Sequence, residues 1–145
     1  LRGLRTLHAR MRAHGENAQR IAELLTRHPA VARVYYPGLA THPGHDIAQR
    51  QQRGFGAMVS FELDGGVQNV KALLGSMELF SLAESLGGVE SLVAHPASMT
   101  HAAMDAAARE RAGISATLVR LSIGIEEGDD LARDLTAGLD AAGRT

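Results

Sequence analysis

The segment Leu118–Ile125 alternates between apolar and other side chains. A period of two places alternate residues on opposite faces of a strand. The apolar face carries Val119, Leu121, Ile123 and Ile125. The segment Ala57–Leu63 repeats the pattern, and its second face carries Met58, Ser60 and Glu62. Each segment therefore predicts a strand with one buried face, and a sheet of such strands must be covered on that face by other elements.

Apolar residues at helical spacing supply the covering elements. The longest predicted helix runs from residue 1 to about residue 27 and ends at His28-Pro29, because the residue before proline avoids the α conformation. Its apolar positions are Leu4, Leu7, Met11, Ala18, Ile21, Leu24 and Leu25. Shorter helices are predicted at 43–52, 67–77 and 104–112, and a last helix follows the acidic residues at 126–130.

Three further segments have the composition or position of extended chain: Val31 to Tyr36, Leu79 to Leu82 and Ser91 to Ala94. After the first helix, strands and helices thus alternate along the chain. We therefore predict an α/β fold in which helices cover one face of an open sheet.

Composition narrows the classes of protein to which this chain can belong. Its 145 residues suffice for one hydrophobic core, and the absence of Cys excludes disulfides and Cys ligands, which is consistent with a reducing, cytoplasmic setting. No apolar run is long enough for a membrane span. Residues 1–53 hold nine arginines against three acidic residues, but no interleaved aromatics accompany them. Solvated or intersubunit charge is therefore favoured over nucleic-acid binding.

Arg120 is the first candidate for a chemical role. It lies in an apolar strand pattern but on the face opposite the apolar side chains, where Ser122 and Gly124 should leave room. A guanidinium in that position can hold a carboxylate through two parallel hydrogen bonds. The alternative is a structural ion pair with one of the chain's acidic residues.

The loop Glu84–Gly88 is the second candidate. Its two glycines permit turns that expose backbone N–H groups, and Ser85 adds a hydroxyl, so that the loop could hold an anion. Glu84 offers a negative charge for an ammonium group. The alternative is an ordinary turn with a solvated acid.

The histidines and the single lysine have weaker signals. His42 and His45 flank a Pro-Gly turn and could form part of a metal-hydrolase site, although no third ligand is near in sequence. His95 and His101 could act as general bases or could be packed loop histidines. Lys71, the only lysine, is expected to be a surface residue of an amphipathic helix.

Longer motifs resemble one enzyme family. They read, in order, LAESLGGVESL at 82–92, HPASMTHA at 95–102, AGI at 112–114 and VRLSIGIE at 119–126; segments 2–11 and 36–43 match as well. Over essentially all 145 residues the chain resembles the C-terminal part of the Cys/Met-metabolism PLP enzymes. This family includes cystathionine γ-synthase, cystathionine γ-lyase, cystathionine β-lyase and methionine γ-lyase.

The resemblance implies the aminotransferase-like, fold type I α/β architecture. In that architecture a large domain binds PLP and a small C-terminal domain closes over the substrate. Residues 1–27 would be a long helix that links to a large domain outside this chain, and residues 28–145 would be the closing domain. The resemblance also implies a cytoplasmic homotetramer, with neither nucleic acid nor membrane as a partner.

The resemblance assigns substrate-binding roles to four residues. Arg120 would hold the α-carboxylate of the amino acid, and Ser85 would assist it. Glu84 would lie near the distal end of the substrate, and Leu86 would complete the set. A glutamate at position 84 resembles the cystathionine γ-synthase and γ-lyase branches, whereas methionine γ-lyases typically differ there. The expected substrates are cystathionine, or an O-acylhomoserine plus cysteine.

The PLP-bearing lysine of the family and its other cofactor-binding residues have no counterpart in this chain, and Lys71 does not match the lysine motif. The resemblance therefore implies that the chain alone is inactive and that PLP binds mainly to the N-terminal part of the enzyme. The alternative belongs to another class: a stand-alone amino-acid-binding or assembly module that has kept the fold and lost catalysis.

Overall fold

The computed structural model describes all 145 residues. Its elements in chain order are a 3₁₀ turn (Gly3–Thr6), α1 (Leu7–Arg27), β1 (Val31–Tyr35), α2 (His45–Gln51), β2 (Met58–Leu63), α3 (Val67–Ser76), β3 (Ser81–Leu82), β4 (Leu92–Ala94), α4 (Ala106–Arg111), β5 (Leu118–Ser122) and α5 (Gly128–Gly143).

The five strands form one sheet in the order β1-β2-β5-β4-β3. Neighbouring strands are antiparallel, except for the parallel pair β3 and β4. In the centre of the sheet, Arg120 of β5 lies opposite Ser60 of β2 on one side and Ala94 of β4 on the other. Arg120 is thus on a strand that is paired along both edges, which gives its side chain a rigid base.

The alternation predicted for the two central strands is confirmed. The buried apolar members of β2 and β5 are Val59, Phe61, Leu63, Val119 and Leu121. They belong to a core of 19 buried residues, to which α1, α3 and α5 contribute Ile21, Leu25, Val70, Leu73, Leu131 and Leu135 among others. Helices therefore cover one face of an open sheet, as the α/β prediction requires, and Arg120 lies on the other face.

The first helix ends at Arg27, as predicted, but it begins with the 3₁₀ turn rather than at residue 1. Although Leu4, Leu7 and Met11 follow the helical period, their side chains are exposed, because burial in α1 begins only at His14. The other two polar helices are also shorter than predicted: α2 occupies 45–51 and α4 occupies 106–111. None of the helices combines the length and the apolar character that crossing a bilayer requires.

Strand β5 ends at Ser122, so the prediction of one strand to Ile125 is wrong for the last three residues. The Ile123 N–H still donates to Ala57 O, next to β2, at 2.9 Å. From Gly124 onward the chain bonds to a loop: the Gly124 N–H donates to Ser91 Oγ at 2.8 Å and the Ile125 N–H donates to Val89 O at 2.9 Å. Ile125 is exposed and does not share the buried face.

Candidate functional site

The site is built where the loop that connects β3 to β4 lies against β5. This loop spans residues 83–91 and contains the Glu84–Gly88 segment. The Ala83 N–H donates to Val93 O at 3.0 Å, which fixes the start of the loop beside β4. The fold therefore brings together the two candidates that are about 35 residues apart in sequence, the Glu84–Gly88 loop and Arg120.

Arg120 is half-buried, and its guanidinium contacts the loop directly. Its Nη2 donates to the carbonyl oxygens of Glu84, at 2.9 Å, and Ser85, at 3.1 Å. Its Nε is buried and has no hydrogen-bond partner. A buried N–H of a charged group without a partner is costly, and an anion that accepts from it would remove that cost. The guanidinium is therefore oriented by the loop and still has donor capacity for a ligand.

The alternative of a structural ion pair does not describe Arg120. The ion pairs in the structure join Arg20 to Asp129, Arg27 to Glu23, His28 to Asp140 and Arg133 to Asp130. The partners of Arg120 are neutral carbonyls, so its positive charge is not compensated by a carboxylate of this chain.

Glu84, Ser85 and Leu86 are all exposed beside this guanidinium. The sequence predicted the Ser85 hydroxyl as a donor. In the structure, the Ser85 carbonyl contacts Arg120. The Gly87 backbone has a φ of +76°, the left-handed region that glycine adopts readily. The turn at Gly87 thus sends the chain back toward β5 after the three exposed residues.

The space beside Arg120 that was expected to be free is filled by the loop. Ser122 is 2% exposed, and its Oγ accepts from the Gly87 N–H at 2.9 Å. A Cβ built at Gly124 would clash with the backbone at Val89 and Glu90, so glycine at this position admits the loop backbone rather than a ligand.

Two residues of the site lie within the quoted family motifs but were not predicted as site residues. Ser91 donates to the carboxylate of Glu126 twice, from its N–H at 2.6 Å and from its Oγ at 2.9 Å. Ser91 and Glu126 are 35 positions apart in sequence. A serine in a loop and a glutamate just before a helix are both common. Only the tertiary contact shows that they join the loop to the end of β5.

The contacts of His95 and His101 do not support the role of general base. His95 is buried, and both ring nitrogens are engaged: Nε2–H donates to Ala116 O at 3.0 Å and Nδ1 accepts from Ser98 Oγ at 2.7 Å. His95 is thus a packed loop histidine. His101 Nδ1 lies 2.7 Å from Thr100 Oγ1 on an adjacent turn.

His42 and His45 bond within their own turn. His42 Nδ1 accepts from the Gly44 N–H at 3.0 Å, and His45 Nδ1–H donates to Pro37 O at 2.7 Å. The His45 ring stacks on Phe55 with 5.4 Å between ring centroids. No third His, Cys, Asp or Glu joins them in a group that could hold a metal ion.

Lys71 is exposed on α3, one of the helices that cover the apolar face of the sheet. Arg120 points from the opposite face, so Lys71 does not belong to the site. Two surface cavities, of about 420 and 540 Å³, lie along β1 and beside His28 and Asp140, and neither is lined by Arg120 or the loop.

Known proteins are similar to this chain in sequence and in fold. A family model described as Cys/Met metabolism PLP-dependent enzyme matches residues 1–140. The cystathionine gamma-synthase of Escherichia coli (strain K12) is 56% identical over 144 residues, which are 99% of this chain and 37% of that protein. The L-methionine gamma-lyase of Fusobacterium nucleatum subsp. polymorphum is 52% identical over 140 residues, which are 97% of this chain and 35% of that protein.

A solved structure of similar sequence has nearly the same fold. The cystathionine gamma synthase from Xanthomonas oryzae pv. oryzae, in complex with cystathionine, superposes with a TM-score of 0.95 at 66% identity. The match covers 99% of this chain and 37% of that one. The chain therefore spans little more than a third of the length of these relatives.

Proposed function

Because the chain belongs to the Cys/Met metabolism PLP-dependent enzyme family, we propose that it is the C-terminal portion of a PLP-dependent transsulfuration enzyme. The activity proposed for the complete protein is that of a cystathionine γ-lyase or a cystathionine γ-synthase, with cystathionine, or an O-acylhomoserine plus cysteine, as substrate. The observation that carries this proposal is the Arg120 guanidinium, which the loop orients while its buried Nε has no partner.

The division into domains follows from the same proposal. Residues 1–27 link to a large PLP-binding domain, and residues 28–145 form the domain that closes over the substrate. The exposed apolar side chains of Leu4, Leu7 and Met11 at the start of α1 support this division, because they form a stripe at helical spacing outside the core of this chain. A cytoplasmic homotetramer remains part of the proposal.

Arg120 binds the α-carboxylate of the amino acid and so fixes its orientation. Nη2 is held by the Glu84 and Ser85 carbonyls, so the guanidinium plane is set before the ligand arrives. The carboxylate supplies the negative charge and the acceptor that the rest of the guanidinium lacks. Holding a reactant in one orientation is itself a large contribution to rate.

The three exposed loop residues complete the substrate site. Ser85 assists in binding the carboxylate. Its contact with Arg120 is made by its carbonyl oxygen, which leaves its hydroxyl to bind the carboxylate. Glu84 meets the distal end of the substrate, where cystathionine carries an ammonium group. Leu86 is 56% exposed and presents an apolar side chain beside Glu84 and Ser85.

PLP, when bound, supplies an electron sink for carbanions of the amino acid. The residues of this chain do not fit the covalent attachment of that cofactor, because Lys71 is exposed on the helical side of the sheet and Arg120 lies on the other side. We therefore propose that the cofactor binds mainly to the N-terminal part, that this chain alone is inactive, and that its residues bind and orient the amino acid.

Overall identity does not choose among the reactions of the family, since a cystathionine gamma-synthase and an L-methionine gamma-lyase match this chain at 56% and 52%. The preference for the cystathionine enzymes depends on Glu84. Assays of the complete gene product with cystathionine, with O-succinylhomoserine plus cysteine, and with methionine separate these activities. Turnover of methionine alone would overturn the preference.

Replacing Arg120 tests the binding role in the complete protein. Arg120→Ala should lower kcat/KM for the amino acid about 100-fold or more, because two charge-assisted hydrogen bonds are lost, and Arg120→Lys should recover only part of it. Arg133→Ala, which breaks a surface ion pair on α5, is the control. Equal kcat/KM for Arg120→Ala and the wild type would refute the assignment.

The only lysine of the chain, Lys71, is exposed and does not fit the attachment of PLP. This observation favours a second candidate, a stand-alone amino-acid-binding or assembly module without catalysis. Reading the gene upstream of Leu1 separates the two. An open frame that continues into a lysine-bearing PLP domain eliminates the module, and a start codon at residue 1 favours it.

A further inference from the structure

We propose that Ser122, Ser91 and Glu126 are positioning residues for the carboxylate site. We call these three side chains the clasp. The proposal rests on the proposed function, because it assigns to the clasp the task of holding the loop that orients Arg120. The clasp side chains are less accessible to a ligand than Ser85, which is exposed. Ser91 and Ser122 are buried, and Glu126 is half-buried.

Ser122 holds the middle of the loop. It shares a face of β5 with Arg120, two residues away, so both side chains rise from the sheet toward the loop. Arg120 bonds to the carbonyls of residues 84 and 85, and Ser122 Oγ accepts from the Gly87 N–H at 2.9 Å. Two positions on the same face of one rigid strand thus fix both ends of the turn that presents Ser85 and Leu86.

Glu126 and Ser91 hold the end of the loop. Both carboxylate oxygens of Glu126 accept from Ser91, at 2.6 and 2.9 Å. Ser91 Oγ also accepts from the Gly124 N–H at 2.8 Å, so its position is set by both a donor and an acceptor. No cation pairs with Glu126 in the structure. The side-chain contacts of its carboxylate are therefore the hydrogen bonds from Ser91 of the loop.

The segment to which the clasp is anchored is itself fixed from its other side by α1. His14 Nδ1–H donates to Ile123 O at 2.6 Å, and Asn17 Nδ2 donates to Gly124 O at 3.2 Å and to Glu126 O at 2.8 Å. Within this segment the N–H groups of Gly124 and Ile125 bond to the loop, and three carbonyls bond to α1. The clasp therefore transmits the position of a rigid helix to the loop, rather than joining two flexible segments.

A loosened clasp should act on the ligand through Arg120. If the Gly87 turn moves, the two carbonyls that hold Nη2 move with it, and the guanidinium loses its fixed plane. Misplacement of a binding group by about 1 Å can cost about 100-fold in rate. A purely structural role would instead lower stability and leave the preference for a carboxylate unchanged.

The test uses the complete gene product and five variants. Ser122→Ala and Glu126→Ala each remove one arm of the clasp. Ser76→Ala removes a serine hydroxyl that bonds one turn back on the exposed side of α3, and Glu127→Ala removes an exposed neighbouring carboxylate. These two are the matched controls. Glu126→Gln is the conservative variant, since an amide keeps one acceptor for the Ser91 N–H.

Two measurements read out the clasp. Hydrogen exchange reports the amides of Gly87 and Ser91, which are the donors to Ser122 and Glu126. Affinity is measured with L-alanine, which carries a carboxylate and has no leaving group at Cγ, and with L-alaninamide, which lacks the carboxylate. We expect about tenfold faster exchange at the matching amide and about tenfold weaker binding of L-alanine, with binding of the amide changed less than about twofold.

Each outcome decides the proposal. Faster exchange with selective loss of L-alanine binding, restored in part by Glu126→Gln and absent in both controls, supports it. Unchanged exchange, or equal loss for L-alanine and its amide, overturns it. Arg120→Ala, run in parallel, tests the proposed function separately: if that variant still discriminates the acid from the amide, the carboxylate site is wrong, whereas the exchange result still reports whether the clasp holds the loop.

Discussion

Replacing Gly124 with alanine should destabilise the protein, although most glycine-to-alanine changes in ordinary backbone conformations do the opposite. Gly124 has no positive φ, so space rather than conformation requires glycine there. A Cβ at this position would lie 2.7 Å from the carbonyl carbon of Glu90, with the Val89 carbonyl oxygen closer still. A side-chain oxygen, Glu126 Oε2, is also in the way, but Val89 and Glu90 present backbone atoms of the loop, which cannot rotate away as a flexible side chain could.

The size of the effect follows from what must move. To accept a methyl group the loop must shift away from the end of β5, which weakens the 2.9 Å hydrogen bond from the Ile125 N–H to Val89 O at a cost of about 1 kcal/mol. Overpacking adds about 1–3 kcal/mol. The lower entropy of the unfolded alanine variant returns about 0.4–1 kcal/mol. The net expectation is a loss of about 2 kcal/mol.

The assay is urea denaturation of the chain, with Gly75→Ala as the matched control. Gly75 lies in α3, has no positive φ, and would bring its Cβ within 4 Å of nothing. That variant should gain about 0.5–1 kcal/mol from helix propensity. The two substitutions are chemically identical and are expected to differ in sign. A Gly124→Ala variant as stable as the wild type would refute the claim that the loop backbone is packed against β5.

Two further predictions concern groups outside the loop. Burial raises the pKa of Tyr36 to about 12, and its OH donates to Gly56 O at 3.1 Å. Since the tyrosine of the unfolded state ionises first, with the ordinary pKa of about 10, stability present below pH 10 should be lost as pH rises toward 12, by roughly 2–3 kcal/mol. Tyr36→Phe should flatten this decline, and equal declines in both proteins would contradict the assignment. The Asp134 carboxylate accepts from three backbone N–H groups at 78–80, at 2.7 to 3.2 Å, so Asp134→Ala should cost about 1–3 kcal/mol in urea denaturation. Asp129→Ala, which removes only a surface ion pair, should cost less than about 1 kcal/mol, and equal losses would contradict this account.

The two central strands and the buried face of the sheet were predictable because strand geometry is local. Successive side chains of a strand point to opposite faces, so the apolar members of an alternating pattern share one face. Val59, Phe61, Val119 and Leu121 are all buried accordingly. The ends of elements were less predictable. The strand pattern continues to Ile125, but the strand ends at Ser122: the Ile123 N–H still bonds beside β2, and a loop distant in sequence then accepts from the N–H groups of Gly124 and Ile125.

Arg120 could be identified from sequence for the same reason: a cation within a strand, on the face opposite the apolar residues, has few local explanations. Its partners could not be identified. They are the carbonyls of Glu84 and Ser85, and every residue has a carbonyl, so no residue type marks the contact. Ser91 and Glu126 are likewise common residues whose joint role exists only through their contact.

The sequence by itself determined the α/β class, the face on which Arg120 lies and the family resemblance, because these depend on periodicity and on the order of long motifs. The tertiary structure alone decided that the loop fills the space beside Ser122 and Gly124 and holds the guanidinium through its backbone. The physical reason is that a hydrogen bond between residues about 35 positions apart depends on the path of the chain in space, which no local pattern of side chains encodes.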